Sequence, residues 1–150
     1  MATKLDAVCI ALTTLWDAAF DATVQVVDGP QVNSDPSSDW LFVGHDADRP
    51  DDTNDGAVAT QDWMAFQRTK EEDGEVTCAI VVVSGDTAIP TVRARALDIL
   101  SDAEDALRAN PTIGGLVMKS HVSEIRFIPV VNSDGSKARV VFTVTYLAEI

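Results

Sequence analysis

Residues 75–85 read EVTCAIVVVSG and are apolar at nearly every position. A strand with one face in water alternates apolar and polar side chains, whereas a run like this one is at home only where both faces are covered. The stretch therefore predicts a central strand, around which the rest of the 150 residues must pack. At that length, with 46% hydrophobic residues, one domain spanning 1–150 with an ordinary buried core is expected.

Two amphipathic helices are available to cover that strand. Thr3, Leu5, Val8, Cys9, Leu12, Leu15, Trp16, Ala19 and Phe20 recur at helical spacing, predicting a helix over about 3–21 that opens with a Thr3-Lys4-Leu5-Asp6 capping box. After Gly85-Asp86-Thr87, which can cap a helix with Pro90 in its first turn, Val92, Ala96, Ile99, Leu100, Ala103 and Leu107 form a second stripe that ends at Asn110-Pro111. Arg93, Arg95, Asp98, Asp102 and Asp105 fall outside that stripe.

The remaining segments read as strands. TVQVV (23–27) ends at Asp28-Gly29-Pro30, WLFV (40–43) follows a polar loop, and AVATQDWMAFQ (57–67) alternates. Strands over 122–131 and 138–148 join around Asn132-Ser133-Asp134-Gly135 as a hairpin, with Val140, Phe142, Val144 and Tyr146 on one face. The order α-β-β-β-β-α-β-β predicts an α+β domain with a largely antiparallel sheet of about six strands packed against two helices.

Charge narrows the partners. Twenty-four acids against 11 Lys+Arg give a net charge of −13, which opposes binding to a phosphate backbone. The same acidity suits a wall that DNA slides past and a chain adapted to high salt. The MATKLDAV start has no basic and apolar leader and no segment is long enough to span a bilayer, so a soluble, unprocessed chain without a membrane partner is expected. Cys9 and Cys78 sit in apolar company and read as buried thiols.

The most conspicuous motif is the loop GHDADRPDDTNDG at 44–56. Asp51, Thr53, Asp55, Gly56 and Asp62 approximate the twelve-residue calcium loop, but Thr53 replaces an acid or amide, Asp62 replaces the terminal Glu, and the flanks look like strands. A solvated acidic loop is the default reading, with a calcium-dependent binding module as an alternative. His45 and His121 form no zinc pattern, and His45 beside Asp46 lacks a nucleophile in an elbow context, so a hydrolase ranks last. Ser84-Gly85-Asp86-Thr87 lacks the lysine and glycine spacing of a phosphate loop. Trp16 is assigned to the core, while Trp63, beside Met64 and Phe66, is assigned to an interface. Arg93, Arg95 and Arg108 are candidates for pairing with aspartates of this chain or of another copy.

Together the short N-terminal helix, VQVVDGPQV, DWLFVG, EVTCAIVVVSGDT, VRARALDILSDAEDALRANP and the hairpin ending VVFTVTYLAEI resemble the tail terminator, or tail completion, proteins of long-tailed bacteriophages of the siphophage type. The likeness runs over essentially the whole chain and rests on structural motifs that carry no chemistry. It implies a virion structural protein of the tail and neck, assembled in the host cytoplasm, that forms a six-fold ring. Such a ring caps the tail tube, ends tube polymerisation, and receives the head-side connector.

The implied partners are further copies of the chain, the major tail tube protein, the connector, and genomic DNA passing without specific binding. The resemblance carries no catalytic residue, metal or cofactor. It places the 44–56 loop, with Asp46, Asp48, Asp51, Asp52 and Asp55, and the hairpin tip at 132–137, with Asp134 and Lys137, on the axial faces or the lumen. Trp63, Phe66, Arg93 and Arg95 are the remaining interface candidates. Another neck or head-completion adaptor is the nearest alternative, and a tail-tube subunit is disfavoured by two well-formed helices.

Overall fold

The computed structural model describes residues 2–30, 39–48, 55–64 and 68–150. Its elements are α1 (Leu5–Phe20), β1 (Gln25–Asp28), β2 (Trp40–Val43), β3 (Ala57–Trp63), β4 (Lys70–Ser84), α2 (Ile89–Ala109), β5 (Lys119–Asn132) and β6 (Gly135–Glu149). This is the expected α+β order, with six strands, mostly antiparallel, and two helices.

The sheet runs β1-β2-β4-β6-β5, with β3 also paired to β4. The predicted central strand is central: β6 follows one side of β4 from Glu71 to Ser84, while β3 and β2 share the other side in succession. Strand β1 lies parallel to β2, which pattern alone did not separate from an antiparallel arrangement. Both helices cover one face of the sheet, where Val76, Cys78, Ile80 and Val82 of β4 meet Val140, Phe142, Val144 and Tyr146 of β6 beneath the helical stripes. The six stripe residues of α2 are its six buried residues.

Trp16 ties the two helices to the sheet. It is fully buried, donates its indole N–H to the Ala103 carbonyl at 3.0 Å, and meets the Phe142 ring edge-on at 5.8 Å. The donor is satisfied while the ring contributes its whole apolar area, which is the condition under which a buried tryptophan stabilises.

Three local expectations are corrected. Strand β4 begins at Lys70 rather than at 75, because the polar run KEEDGE has its backbone taken by strands on both sides. The capping box does not form: the Thr3 hydroxyl accepts only the Leu5 N–H, and the Lys4 N–H is taken by the Glu72 carboxylate at 3.0 Å. Asp86 accepts the Ala88 N–H at 3.0 Å and so organises the turn before α2, whose cap position is Ala88.

Candidate assembly surfaces

The acidic loop begins on the outer face of the sheet, opposite the helices. Gly44 turns with φ +73, and a Cβ placed on Gly56 would run into the Gly44 backbone, so the described ends of the loop meet. His45 Nδ1 accepts the Ala47 N–H at 2.9 Å, and Asp46 Oδ1 accepts the Asp48 N–H at 3.0 Å. Arg139 on β6 reaches up from the sheet, donating to the Asp46 carbonyl at 3.1 Å and standing 3.7 Å from the Asp48 carboxylate. The His45 ring rests against Phe42, whose own ring stacks on Trp40. The geometry makes His45 and Asp46 fixtures of a loop, with Nε2 and Oδ1 4.0 Å apart.

Asp51, Asp52 and Phe66 lie outside the described residues, as do positions 51–54 of the calcium-like loop. Its flanks are the strands β2 and β3, and Asp62, the would-be terminal ligand, is paired in register with Glu71. A calcium hand requires helices at those places. Asp55 is exposed just before β3.

A second acidic surface comes into view only in the folded sheet. On the outer face, Asp62, Glu71 and Glu149 stand directly across neighbouring strands, and Asp73 and Glu75 continue the same face of β4. Carboxylates placed directly opposite one another repel and cost stability, so the row reads as a surface where something other than stability is served. The signal was present in the alternation Glu71-x-Asp73-x-Glu75, hidden because the run reads as a loop until its backbone partners are known.

The other candidates separate. Trp63 closes β3 and is 70% exposed, with Lys70 Nζ 5.0 Å over its ring. Arg95 forms a forked pair with Asp39 of the same chain, Arg108 pairs with Glu104 one turn earlier, and exposed Arg93 has no carboxylate within reach among the described residues. At the hairpin tip the Asn132 side chain accepts the Asp134 N–H at 2.9 Å, and Lys137 lies in register between Val83 and Val130, which are 37% and 44% exposed. Val131 and Ile125 are exposed on the other face of the same hairpin.

Among the described residues the sheet has unlike open edges on opposite flanks. On one side β5, fourteen residues long, pairs only with β6 among the described residues. On the other, β1 and β3 each pair with one strand.

Beneath α1 lies a buried polar cluster. Glu72 is fully buried; its carboxylate accepts the Tyr146 hydroxyl at 2.6 Å, the Gln61 amide at 2.7 Å and the Lys4 N–H. Burial alone would raise its pKa, but the hydrogen bonds from Tyr146, Gln61, Thr3 and Lys4 outweigh that and hold it below the ordinary carboxylate value. Burial, with the adjoining Glu72 charge, drives the Tyr146 phenol well above its usual value. Gln61 also donates to the Ala2 carbonyl at 2.6 Å, so the cluster fastens the start of the chain to β3, β4 and β6. It has the character of a structural clasp, with every member satisfied.

No helix among the described residues is long and apolar enough to cross a membrane. No family model matches the chain, and no curated protein matches it.

Proposed function

We propose that the chain is a ring-forming structural protein of a phage tail and neck, which caps the tail tube and presents a joining surface to the head-side connector. The observation that carries this reading is the pair of unlike sheet edges, open among the described residues, on opposite flanks, β5 on one side and β1 with β3 on the other. A ring requires a heterologous contact, in which one patch meets a different patch on the next copy and the rotation closes. A strand edge with unpaired backbone groups is a template for another chain where it is not blunted. On β5 the bulge at Val122/Glu124 and Pro129 interrupt the edge, and exposed Ile125, Val130 and Val131 are the apolar side chains it offers for a contact.

The acidic surfaces fit the passage of DNA. Asp46 and Asp48 at the loop and the row Asp62, Glu71 and Glu149 on the sheet present like charge that disfavours adhesion of phosphate. The hairpin tip, with Asp134, Lys137 and exposed Val83 and Val130, offers a mixed apolar and charged end for the tube or the connector.

Deletion of the chain from its parent phage tests the proposal. Overlong tails without heads are expected. Tails of normal length beside unattached heads would instead assign it to a neck adaptor, and undisturbed particles would remove it from assembly altogether.

A further inference from the structure

Most arginines of the described chain already face a carboxylate. Arg95, Arg108, Arg126 and Arg139 each lie within 4.0 Å of one. Among the described residues Lys4, Arg68 and Lys70 do not, nor do Arg93, Lys119 and Lys137, but Lys4, Arg68 and Lys70 converge on one groove of about 580 Å3 at the end of the sheet, by the start of α1. Exposed Trp63 forms one wall, Gln61 lies along it, and Glu149 is the one acidic side chain at its rim among the described residues. The Lys4 ammonium is held by the Leu116 carbonyl at 2.8 Å and the Lys70 ammonium lies over the Trp63 ring, so both charges are fixed in place with no carboxylate within 4.0 Å among the described residues.

The location sharpens the contrast. Lys70 and Trp63 are paired across β4 and β3 on the helix side, whereas Glu71 and Asp62 beside them point to the outer side. One end of one sheet therefore carries a cationic, aromatic groove on one face and a carboxylate row on the other. In a chain with 24 acids and 11 bases, such a concentration of unpaired cations around a bare indole is not explained by packing.

We infer that this groove is a docking site for an acidic segment of a partner protein, with an apolar or aromatic side chain laid on Trp63 and carboxylates against Arg68 and Lys70. Charge complementarity selects this occupant: a short acidic segment can stay within a screening length of Lys4, Arg68 and Lys70, whereas a long phosphate backbone would run past them over the surface of a chain with a net charge of −13. An exposed tryptophan flanked by cations is also the composition of an interface hot spot. The β5 flank of a second copy fits less well, since Lys119 and Arg126 outnumber Glu124 along it. The site does not depend on the ring.

The test uses the full chain and two labelled hexapeptides, one of repeated Asp-Glu-Phe and one of repeated Lys-Lys-Phe, followed by fluorescence anisotropy and by the indole N–H signals in NMR. Trp63→Phe identifies the signal of Trp63. Binding of the acidic peptide with displacement of that signal is expected, weakened about tenfold by Arg68→Ala with Lys70→Ala and by raised salt. Any of three outcomes overturns the inference: no binding up to about millimolar peptide, equal binding of the basic peptide, or binding indifferent to the variants. If the Trp63 signal instead shifts with protein concentration before peptide is added, a second copy fills the groove and the partner assignment falls. None of these outcomes alters the length of tails in the deletion phage, so the two proposals fail separately.

Discussion

Tyr146 on β6 donates its hydroxyl to the buried carboxylate of Glu72 on β4 at 2.6 Å, and through Glu72 the sheet holds Lys4, the residue that caps the start of α1. The folded-state pKa of Glu72 is depressed, so its contribution is complete above the unfolded value of about 4.3 and is lost as pH falls through the lower folded value. Urea denaturation from pH 7 down to about pH 3 is expected to show stability falling at the acid end. The Glu72→Gln variant should be less stable at neutral pH with a flatter acid limb.

Removing the donor instead of the acceptor gives a second readout. Tyr146→Phe leaves the Glu72 charge buried with one hydrogen bond fewer, which costs about 1.5–3 kcal/mol in denaturant midpoints at pH 7. The raised pKa of Tyr146 gives the opposite limb: its contribution is full below the unfolded value of about 10 and fades as pH rises toward the higher folded one.

Gly74 is directly opposite Tyr146, and a Cβ at that position would overlap the phenol ring. Gly74→Ala is therefore expected to destabilise by about 1–3 kcal/mol despite the better strand propensity of alanine, with the Tyr146→Phe loss no longer additive to it. Thermal or urea unfolding of the two single variants and the double variant checks this.

The thiols differ in reach. Burial, with the Asp28 and Asp6 charges, pushes Cys9 up to about 11, and burial raises Cys78 further still. At pH 8 only about a thousandth of Cys9 is thiolate, so a thiol-disulfide reagent should react slowly with Cys9 and with Cys78 only on unfolding. Both rates should rise together in denaturant.

The carboxylate row predicts a stabilising substitution. Glu71→Lys would set a cation between Asp62 and Glu149 and raise stability by about 0.2–1 kcal/mol at low salt. The gain should shrink as salt rises, because the repulsion it relieves is screened. If the row serves DNA passage, the same variant slows ejection; unchanged ejection with the five loop aspartates replaced by asparagine as well would remove the electrostatic part of the proposal.

Much of the fold was legible because burial imposes a period. The stripe of α2 from Val92 to Leu107, the apolar run of β4, and the alternation from Val140 to Tyr146 each bury as their spacing requires. What was hidden depends on partners distant in sequence. KEEDGE becomes a strand because β3 and β6 take its backbone, Glu72 is tolerable inside because Tyr146 and Gln61 satisfy it, and Lys4, Arg68 and Lys70 form one groove only once the sheet brings them together. Of the candidate surface residues, Trp63 was recognisable as an aromatic on a polar strand, whereas Arg95 turned out to serve its own chain through Asp39.

Locating the chain in a cryo-EM reconstruction of its parent particle tests the central claim most directly. The account predicts a closed ring of copies between the tube end and the head-side connector, with the β5 edge of each copy against the β1 and β3 flank of the next. Density for the chain along the tube, a solitary copy, or a ring whose contacts leave both sheet edges in solvent would contradict it.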